Sequence, residues 1–215
     1  MGLVTDVSDA IADSLQAVGW YAGASIFPER LTRQLGDRAL VLDQTGALRQ
    51  ATTRHEDARG TVRRDETHWL ADTPDDEHEK EALAHLHDLR GELNRALYLG
   101  AHDVQLHFAR YAEGAFYKTH RDVFRDDDSR LVSIVFYLNP SWAHDAGGEL
   151  VLYEADDGGA EITRVLPRAG TMVCFLSDRF PHEVLPATRE RYSLTGWFRQ
   201  LVVDGQSLRH RRQRP

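Results

Sequence analysis

The sequence is poor in cysteine, which sets the first limit on its class. Cys174 is the only cysteine among 215 residues, so the chain cannot form a disulfide within itself. It lies in the apolar run TMVCFL, which predicts a core position. A lone core cysteine is typical of a reducing compartment, and we therefore predict a cytoplasmic protein.

Long apolar runs are missing as well. The opening MGLVTDVSDAIADSLQAVGW carries Asp6, Asp9 and Asp13 where a secretory signal needs a basic start and an apolar stretch. No segment approaches the apolar length of a membrane helix. We therefore predict no secretory signal and no membrane partner.

Positive charge is also in short supply. The chain has 26 lysines and arginines against 34 aspartates and glutamates, a formal net charge of −8. This balance argues against a surface that neutralises phosphates, so no nucleic-acid partner is expected. The exception is the run RHRRQRP at 209–215, and we predict a flexible basic tail over residues 205–215.

What is present is an ordinary globular composition in a length that suits one domain. Helical periodicity dominates residues 1–100, and three stretches predict helices near 8–18, 27–42 and 75–97. Residues 45–62 are polar and without period, which predicts a mobile loop. We interpret residues 1–100 as helical support within the same domain as the chain that follows.

After residue 100 the hydrophobic pattern changes from helical to strand-like. Short β-branched or aromatic runs alternate with turn-forming sequences such as NPSW, DAGG and PRAG. The predicted strands are DVQLHFARYA, RLVSIVFYL, GELVLYEA, AEITRVL, GTMVCFL and RYSLTGWFRQLVV. We therefore predict an α+β, mainly β protein, with a sandwich or jelly-roll core at 101–204 supported by the N-terminal helices.

Two H-x-D triplets stand out among the polar residues. His120 and Asp122 lie near a predicted strand, where residues two apart share a face, whereas His55 and Asp57 lie in the unpatterned loop. His182, just after the apolar run TMVCFL, supplies a third ligand. Two histidines and one carboxylate form the facial triad of non-haem Fe(II) oxygenases.

A cation follows the last of these ligands. Arg191 begins the strand RYSLTGWF, and a planar guanidinium is well suited to bind the distal carboxylate of a keto acid chelated to iron. Thr195 shares its strand face and adds a hydroxyl donor. The alternative is that Arg191 pairs with a surface glutamate such as Glu190 or Glu149.

The ordered motifs ARYAEGAFYKTHRD, IVFYLNPSW, GGELVLY and SDRFPHEVLPATRERYSLTGW give the chain a family resemblance. It resembles the prolyl 4-hydroxylase branch of the 2-oxoglutarate and Fe(II)-dependent oxygenases, and is similar to the hypoxia-inducible-factor prolyl hydroxylases and their bacterial relatives. The resemblance covers roughly residues 60–200. It implies a double-stranded β-helix, the jelly roll of this superfamily.

By position, the resemblance implies iron ligands at His120, Asp122 and His182, and a 2-oxoglutarate receptor at Arg191. Residues implied to complete the cosubstrate pocket are Tyr137, Thr195 and Tyr111. Residues implied near the iron and the substrate mouth are Tyr117 and Trp197. The 45–62 loop corresponds to a segment that closes over substrate, with Arg63 and Asp65 at its hinge. For the four aromatic residues Tyr111, Tyr117, Tyr137 and Trp197, ordinary core packing is the alternative.

The implied reaction hydroxylates a prolyl residue in a protein or peptide and converts 2-oxoglutarate and O2 to succinate and CO2, with Fe(II) as cofactor and ascorbate as reductant. Elongation factor Tu is a candidate target through the resemblance. One alternative is an oxygenase of the same superfamily acting on another amino acid or on a nucleic acid. The nucleic-acid branch has a second arginine six residues after the first, where this chain has Trp197. A further alternative is a non-catalytic 2-oxoglutarate-binding module.

Overall fold

The computed structural model of the chain describes residues 2–51, 62–123, 129–155, 159–203 and 206–207. The second H-x-D triplet, most of the predicted 45–62 loop and the end of the basic tail lie outside these residues. Among the described helices, none is long and apolar enough to cross a membrane.

The three predicted helices are present as α1 (Gly2–Ala17), α2 (Glu29–Gln44) and α3 (Glu77–Leu97). The start of α3 is fixed by Asp76, whose side chain accepts hydrogen bonds from the backbone N–H groups of His78 and Glu79 at 2.9 and 3.1 Å. Its buried residues recur at helical spacing, so one face of α3 packs into the core.

Eleven of the described strands form two antiparallel sheets that enclose a cavity. The larger, in the order β1-β9-β6-β11-β4-β3-β2, contains β1 (Trp20–Ala24), β2 (Arg49–Gln50), β3 (Asp65–Trp69), β4 (Ala101–Tyr111), β6 (Arg130–Tyr137), β9 (Thr171–Leu176) and β11 (Arg191–Gln200). The smaller, in the order β5-β10-β7-β8, contains β5 (Tyr117–His120), β7 (Leu150–Tyr153), β8 (Glu161–Val165) and β10 (His182–Val184). The predicted mainly β fold with a jelly-roll core is confirmed.

Several short strands were not predicted. β1, β2 and β3 interrupt the region interpreted as helical, and β2 falls inside the predicted loop. Their hydrogen bonds come from distant segments, as β1 pairs with β9 and β3 with β4, so no local periodicity marks them. After β11, β12 (Val202–Val203) pairs with β13 (Gln206–Ser207), and the flexible tail at 205–215 stays a prediction.

Alternation along the central strands separates a hydrophobic layer from the cavity between the sheets. On β6, Val132, Ile134 and Phe136 join the core beneath the helices, whereas Val135 and Tyr137 face the smaller sheet. The same alternation on β9 places the free Cys174 beneath the helices, where it is fully buried. The helices therefore cover one face of the larger sheet and leave its other face to form the site.

Candidate active site

The inner face of β11 carries polar side chains into the space between the sheets. Arg191, Ser193, Thr195 and Trp197 alternate along the strand with residues that pack beneath the helices, and all four border one cavity. Ser133 on the neighbouring β6 borders it too. The cavity has a volume of about 470 Å³ and opens between the two sheets.

Two histidines meet at this cavity because they are cross-strand partners. His120 at the end of β5 is paired directly with His182 at the start of β10, and their ring centroids are 4.2 Å apart. Asp122 lies just beyond β5, in the bend that follows it rather than on the strand itself. Its two carboxylate oxygens are each 3.7 Å from the Nε2 atom of one histidine. The three predicted ligands therefore come together, with their ligand atoms within 4.8 Å of one another.

The ring orientation of both histidines is set by the backbone. Nδ1 of His120 lies 2.8 Å from the carbonyl oxygen of Lys118, and Nδ1 of His182 lies 3.2 Å from that of Phe180. A carbonyl only accepts, so each Nδ1 carries the proton and each Nε2 presents a lone pair toward Asp122. Burial, reinforced by His182, lowers the pKa of His120 to about 3, which keeps that ring neutral.

Asp122 is held in its charged form. Burial alone would raise the pKa of its carboxyl group, but His182, His120 and Arg130 outweigh that effect and lower it. The Ser133 hydroxyl donates to Oδ2 at 2.6 Å and lies 2.9 Å from the hydroxyl of Ser177. Two imidazole nitrogens and one oriented carboxylate form a donor set that fits Fe(II).

Arg191 is the second chemical feature of the cavity. Its side chain is 1% exposed, and among the described residues it has no carboxylate partner. Nε donates to the carbonyl oxygen of Gly148 at 2.9 Å, and the guanidinium carbon lies 4.9 and 5.1 Å from the ring centroids of Tyr111 and Tyr137. The surface-glutamate alternative is wrong for Glu190, whose carboxylate pairs with Arg110 instead.

A buried guanidinium without an anion is unstable unless something else compensates its charge. The Tyr137 hydroxyl beside it is also buried and has no hydrogen-bond partner among the described residues. Burial raises the pKa of Tyr137 to about 12, against the effect of Arg191, so the hydroxyl remains a donor. Thr195 adds a second hydroxyl on the same strand as Arg191, 3.2 Å from that of Ser193. The guanidinium of Arg191 and the hydroxyls of Tyr137 and Thr195 together fit a carboxylate at the inner end of the cavity.

Tyr117, Arg63 and Asp65 form one connected wall. The Tyr117 ring stacks on His120 with centroids 3.5 Å apart, and the guanidinium carbon of Arg63 lies 4.4 Å from the centroid of the Tyr117 ring. Arg63 also makes two hydrogen bonds to the fully buried Asp65, one of them from Nε at 2.7 Å. Residues 62–64 pair with β5 through backbone hydrogen bonds, so this wall joins the edges of the two sheets.

The chain matches known proteins over most of its length. Its fold superposes on the crystal structure of a Pseudomonas putida prolyl-4-hydroxylase with a TM-score of 0.82 and 43% identity, covering 91% of this chain and all of that one. The 2OG-Fe(II) oxygenase superfamily profile matches residues 106–199. The chain belongs to the 2-oxoglutarate and Fe(II)-dependent oxygenase superfamily.

More distant relatives agree with this assignment. The oxygenase is 30% identical to the human protein Egl nine homolog 1 over 176 residues, which is 77% of this chain and 40% of that protein. It therefore spans less than half the length of that relative. A Trichoplax adhaerens prolyl hydroxylase, solved with a hypoxia-inducible-factor peptide, shares the fold with a TM-score of 0.82 at 24% identity, over 93% of this chain and 91% of that one.

Four residues that border the cavity were not predicted from the sequence: Ser133, Arg130, His107 and Trp69. Ser133 contacts a ligand side chain and Arg130 lies with its guanidinium carbon 3.5 Å from the Trp197 ring centroid. His107 and Trp69 extend the same aromatic group, with the His107 ring 5.5 Å from Trp197 and 4.6 Å from Trp69. The strand alternation that marked Thr195 also applies to Ser133 on β6 and to His107 on β4, and it was the only available signal.

His107 and Trp197 leave buried polar atoms at the cavity wall. Nδ1 of His107 and Nε1 of Trp197 have no hydrogen-bond partner among the described residues. Burial, with smaller effects from Arg63 and Arg130, lowers the pKa of His107 to about 3, so the imidazole stays neutral. Trp197 is buried, as the core-packing alternative predicts, and it also borders the cavity.

Proposed function

We propose that the chain is an Fe(II)- and 2-oxoglutarate-dependent dioxygenase that hydroxylates a prolyl residue in a protein or peptide. One observation supports the proposal above all: the cluster of His120, Asp122 and His182 shares a cavity with the buried Arg191, which has no anionic partner among the described residues. A metal and a dicarboxylate would satisfy both requirements at once. The 43% identity to a bacterial prolyl-4-hydroxylase supports proline as the substrate.

His120, Asp122 and His182 would hold the iron, which when bound supplies oxidative chemistry that couples decarboxylation of 2-oxoglutarate to C–H hydroxylation. The protein's part is orientation. Backbone carbonyls fix both imidazoles, and Ser133 fixes the carboxylate, so the ligand atoms are arranged before the metal binds.

Arg191 would bind the distal carboxylate of 2-oxoglutarate, with the hydroxyls of Tyr137 and Thr195 as further donors. The rings of Tyr111 and Tyr137 flank the guanidinium and exclude water from it. In a buried setting, charge-assisted hydrogen bonds of this kind are stronger than those at a surface. This arrangement would select a dicarboxylate over a keto acid that lacks the second carboxylate.

Tyr117, Trp197 and the Arg63–Asp65 pair would line the side from which the substrate enters. Tyr117 packs against His120, so a substrate side chain placed beside it is also near the metal ligands. Arg63 and Asp65 follow residues 45–62 in sequence, and we keep the proposal that they form the hinge of a segment closing over substrate.

Mass spectrometry tests the proposed reaction. Proline-containing peptides, including peptides from elongation factor Tu, would be incubated with the chain, Fe(II), 2-oxoglutarate and ascorbate. We expect one proline to gain one oxygen, with succinate formed in proportion. The Asp122→Ala variant should form neither product and should not bind iron. Oxygen gained on another residue type, with proline unchanged, would reject a prolyl substrate.

Succinate measurements separate the proposal from its non-catalytic alternative. A module that only binds 2-oxoglutarate would show a binding isotherm but no substrate-stimulated succinate. We also propose the cytoplasm as the compartment, which the single, buried and unpaired Cys174 supports.

A further inference from the structure

The cavity differs in charge from the chain that surrounds it. Acidic residues outnumber basic ones over the whole chain, 34 to 26. The residues bordering the cavity instead include five arginines and two aspartates, Arg49, Arg63, Arg121, Arg130, Arg191, Asp65 and Asp122. A cationic cleft in an anionic protein concentrates the field at the opening and attracts anions there in preference to the rest of the surface.

Three of these arginines already have a place in the site. Arg191 is buried at the inner end, Arg63 is bound to Asp65, and Arg130 lies against Trp197 with Nη1 3.1 Å from the carbonyl oxygen of Asp122. These three guanidinium groups contact residues inside the cavity. The other two arginines are exposed at its mouth.

Arg49 and Arg121 are held in place without being neutralised. Arg49 donates to the carbonyl oxygens of Gly46 and Leu48, and Arg121 donates to that of Ala155. Neither forms an ion pair with a described residue, and both are exposed. Backbone carbonyls restrict a guanidinium but leave its full charge, so both side chains remain able to bind a carboxylate.

The two arginines border the cavity from different sheets. Arg49 lies on β2, the last strand of the larger sheet, and Arg121 directly follows β5, the first strand of the smaller sheet. The mouth also holds Trp69, which is 47% exposed and stacks toward Trp197 with ring centroids 6.1 Å apart. An extended peptide crossing the mouth would meet a cation from each sheet and an aromatic surface.

Resting on the proposed prolyl hydroxylation, we infer that this mouth selects peptides in which aspartate or glutamate residues flank the target proline. Arg49 and Arg121 bind those carboxylates. The small dianion 2-oxoglutarate carries the same chemistry, but its receptor is the buried Arg191, whereas the mouth arginines remain in solvent. Acidic peptides are repelled by most of this anionic chain, so the mouth contributes specificity more than raw affinity.

Peptide binding tests the inference independently of turnover. Fluorescently labelled peptides of about 15 residues, with a central proline flanked by aspartates, serines or lysines, would be titrated with the full chain. The chain would be loaded with Mn(II) and 2-oxoglutarate without O2. Exposed ion pairs contribute roughly twofold each, so with two arginines we expect the aspartate peptide to bind about fourfold more tightly than the serine peptide at low salt. The preference should shrink at high salt because the charges are screened.

Two double variants locate the effect. Arg49→Gln with Arg121→Gln should abolish the preference for aspartate over serine. Arg33→Gln with Arg95→Gln removes the same charge from exposed helical positions that do not border the cavity, and should keep the preference. Residues 126–128, which are all aspartate, stay unchanged in every variant.

The remaining outcomes distinguish an error in the inferred charge selection from an error in the proposed activity. Equal binding of all peptides, or an intact preference in the Arg49 and Arg121 double variant, would overturn the inference. A larger loss of 2-oxoglutarate affinity than of peptide affinity would overturn it in favour of cosubstrate capture. Tighter binding of a single-stranded oligonucleotide would overturn it in favour of nucleic acid. The aspartate peptide could also bind selectively while neither it nor a longer acidic protein gains oxygen. That result would reject the proposed prolyl hydroxylase activity but support the inferred selection of acidic peptides.

Discussion

Replacing Arg191 by methionine separates the function of this residue from its structural role. In the free protein the guanidinium is 1% exposed and has no carboxylate partner in the part of the chain that the structure describes, so burial of its charge destabilises the fold. Methionine fills similar space without that charge. We therefore expect Arg191→Met to leave the free energy of unfolding of the ligand-free protein unchanged or higher.

The same substitution should nearly eliminate stabilisation by 2-oxoglutarate. Removing one partner of a buried charged pair costs about 2–5 kcal/mol, which weakens binding at least about 30-fold. At a concentration of about 100 times the wild-type Kd, the ligand stabilises the wild type by about 2.7 kcal/mol, or roughly 5–10 °C in Tm for a domain of this size. The variant at that concentration should retain about 0.9 kcal/mol or less.

Thermal unfolding with Mn(II) and without O2 measures both quantities. The comparison ligand is 2-oxopentanoate, which has the same chain length as 2-oxoglutarate but no distal carboxylate. The wild type should distinguish the two ligands and the variant should not. Arg110→Met is the matched control, because Arg110 binds carboxylates outside the cavity: it should lower stability and preserve the ligand shift. An unaltered 2-oxoglutarate shift in Arg191→Met would refute the assignment of the carboxylate receptor.

Three further predictions concern the surroundings of the metal ligands and of the cosubstrate receptor. Ser133→Ala removes the hydrogen bond to Asp122 and should weaken Mn(II) binding about 10- to 100-fold in a metal titration, and an unchanged affinity would contradict the positioning role. His107 is neutral in the folded chain but protonated when unfolded below about pH 6.5, so stability should fall by up to about 1.4 kcal/mol per pH unit as the pH drops toward 4. His107→Met should remove that part of the pH dependence in denaturant unfolding, and parallel curves would refute it. Gly148 has φ of 75°, and an added Cβ would lie 2.9 Å from Ala187 and 3.4 Å from Cδ of Arg191, so Gly148→Ala should cost about 1–3 kcal/mol of stability and also weaken 2-oxoglutarate binding. Loss of stability without loss of ligand affinity would show that the strain does not reach the guanidinium.

The long elements could be predicted because their pattern is local. The leucine stripe of α3 and the alternation of β11 are each visible within one stretch of sequence. β5 and β10 have four and three residues, and the second of these was not predicted at all, although His182 at its start was. Such strands are stabilised by partners far away in the chain, which no local pattern records.

The same difference explains which parts of the site were missed. Histidine, aspartate and arginine in a fixed order carry a chemical signal that can be recognised in sequence. Ser133 carries none, because a serine on a strand is ordinary until the hydroxyl is seen 2.6 Å from Asp122. The charge of the mouth was equally hidden, since Arg49 and Arg121 are distant in sequence and the net charge of −8 suggested the opposite sign.

The direct pairing of His120 with His182 links metal binding to the register of β5 and β10. β5 is a four-residue strand that pairs with β10 on one side and contacts residues 62–64 through backbone hydrogen bonds on the other. A slip by one residue would turn one imidazole to the outside, so only a single alignment of the two strands lets both rings reach the same ion. An ion bound by both imidazoles would hold β5 and β10 in this alignment, so this part of the sheet and the metal site would form together.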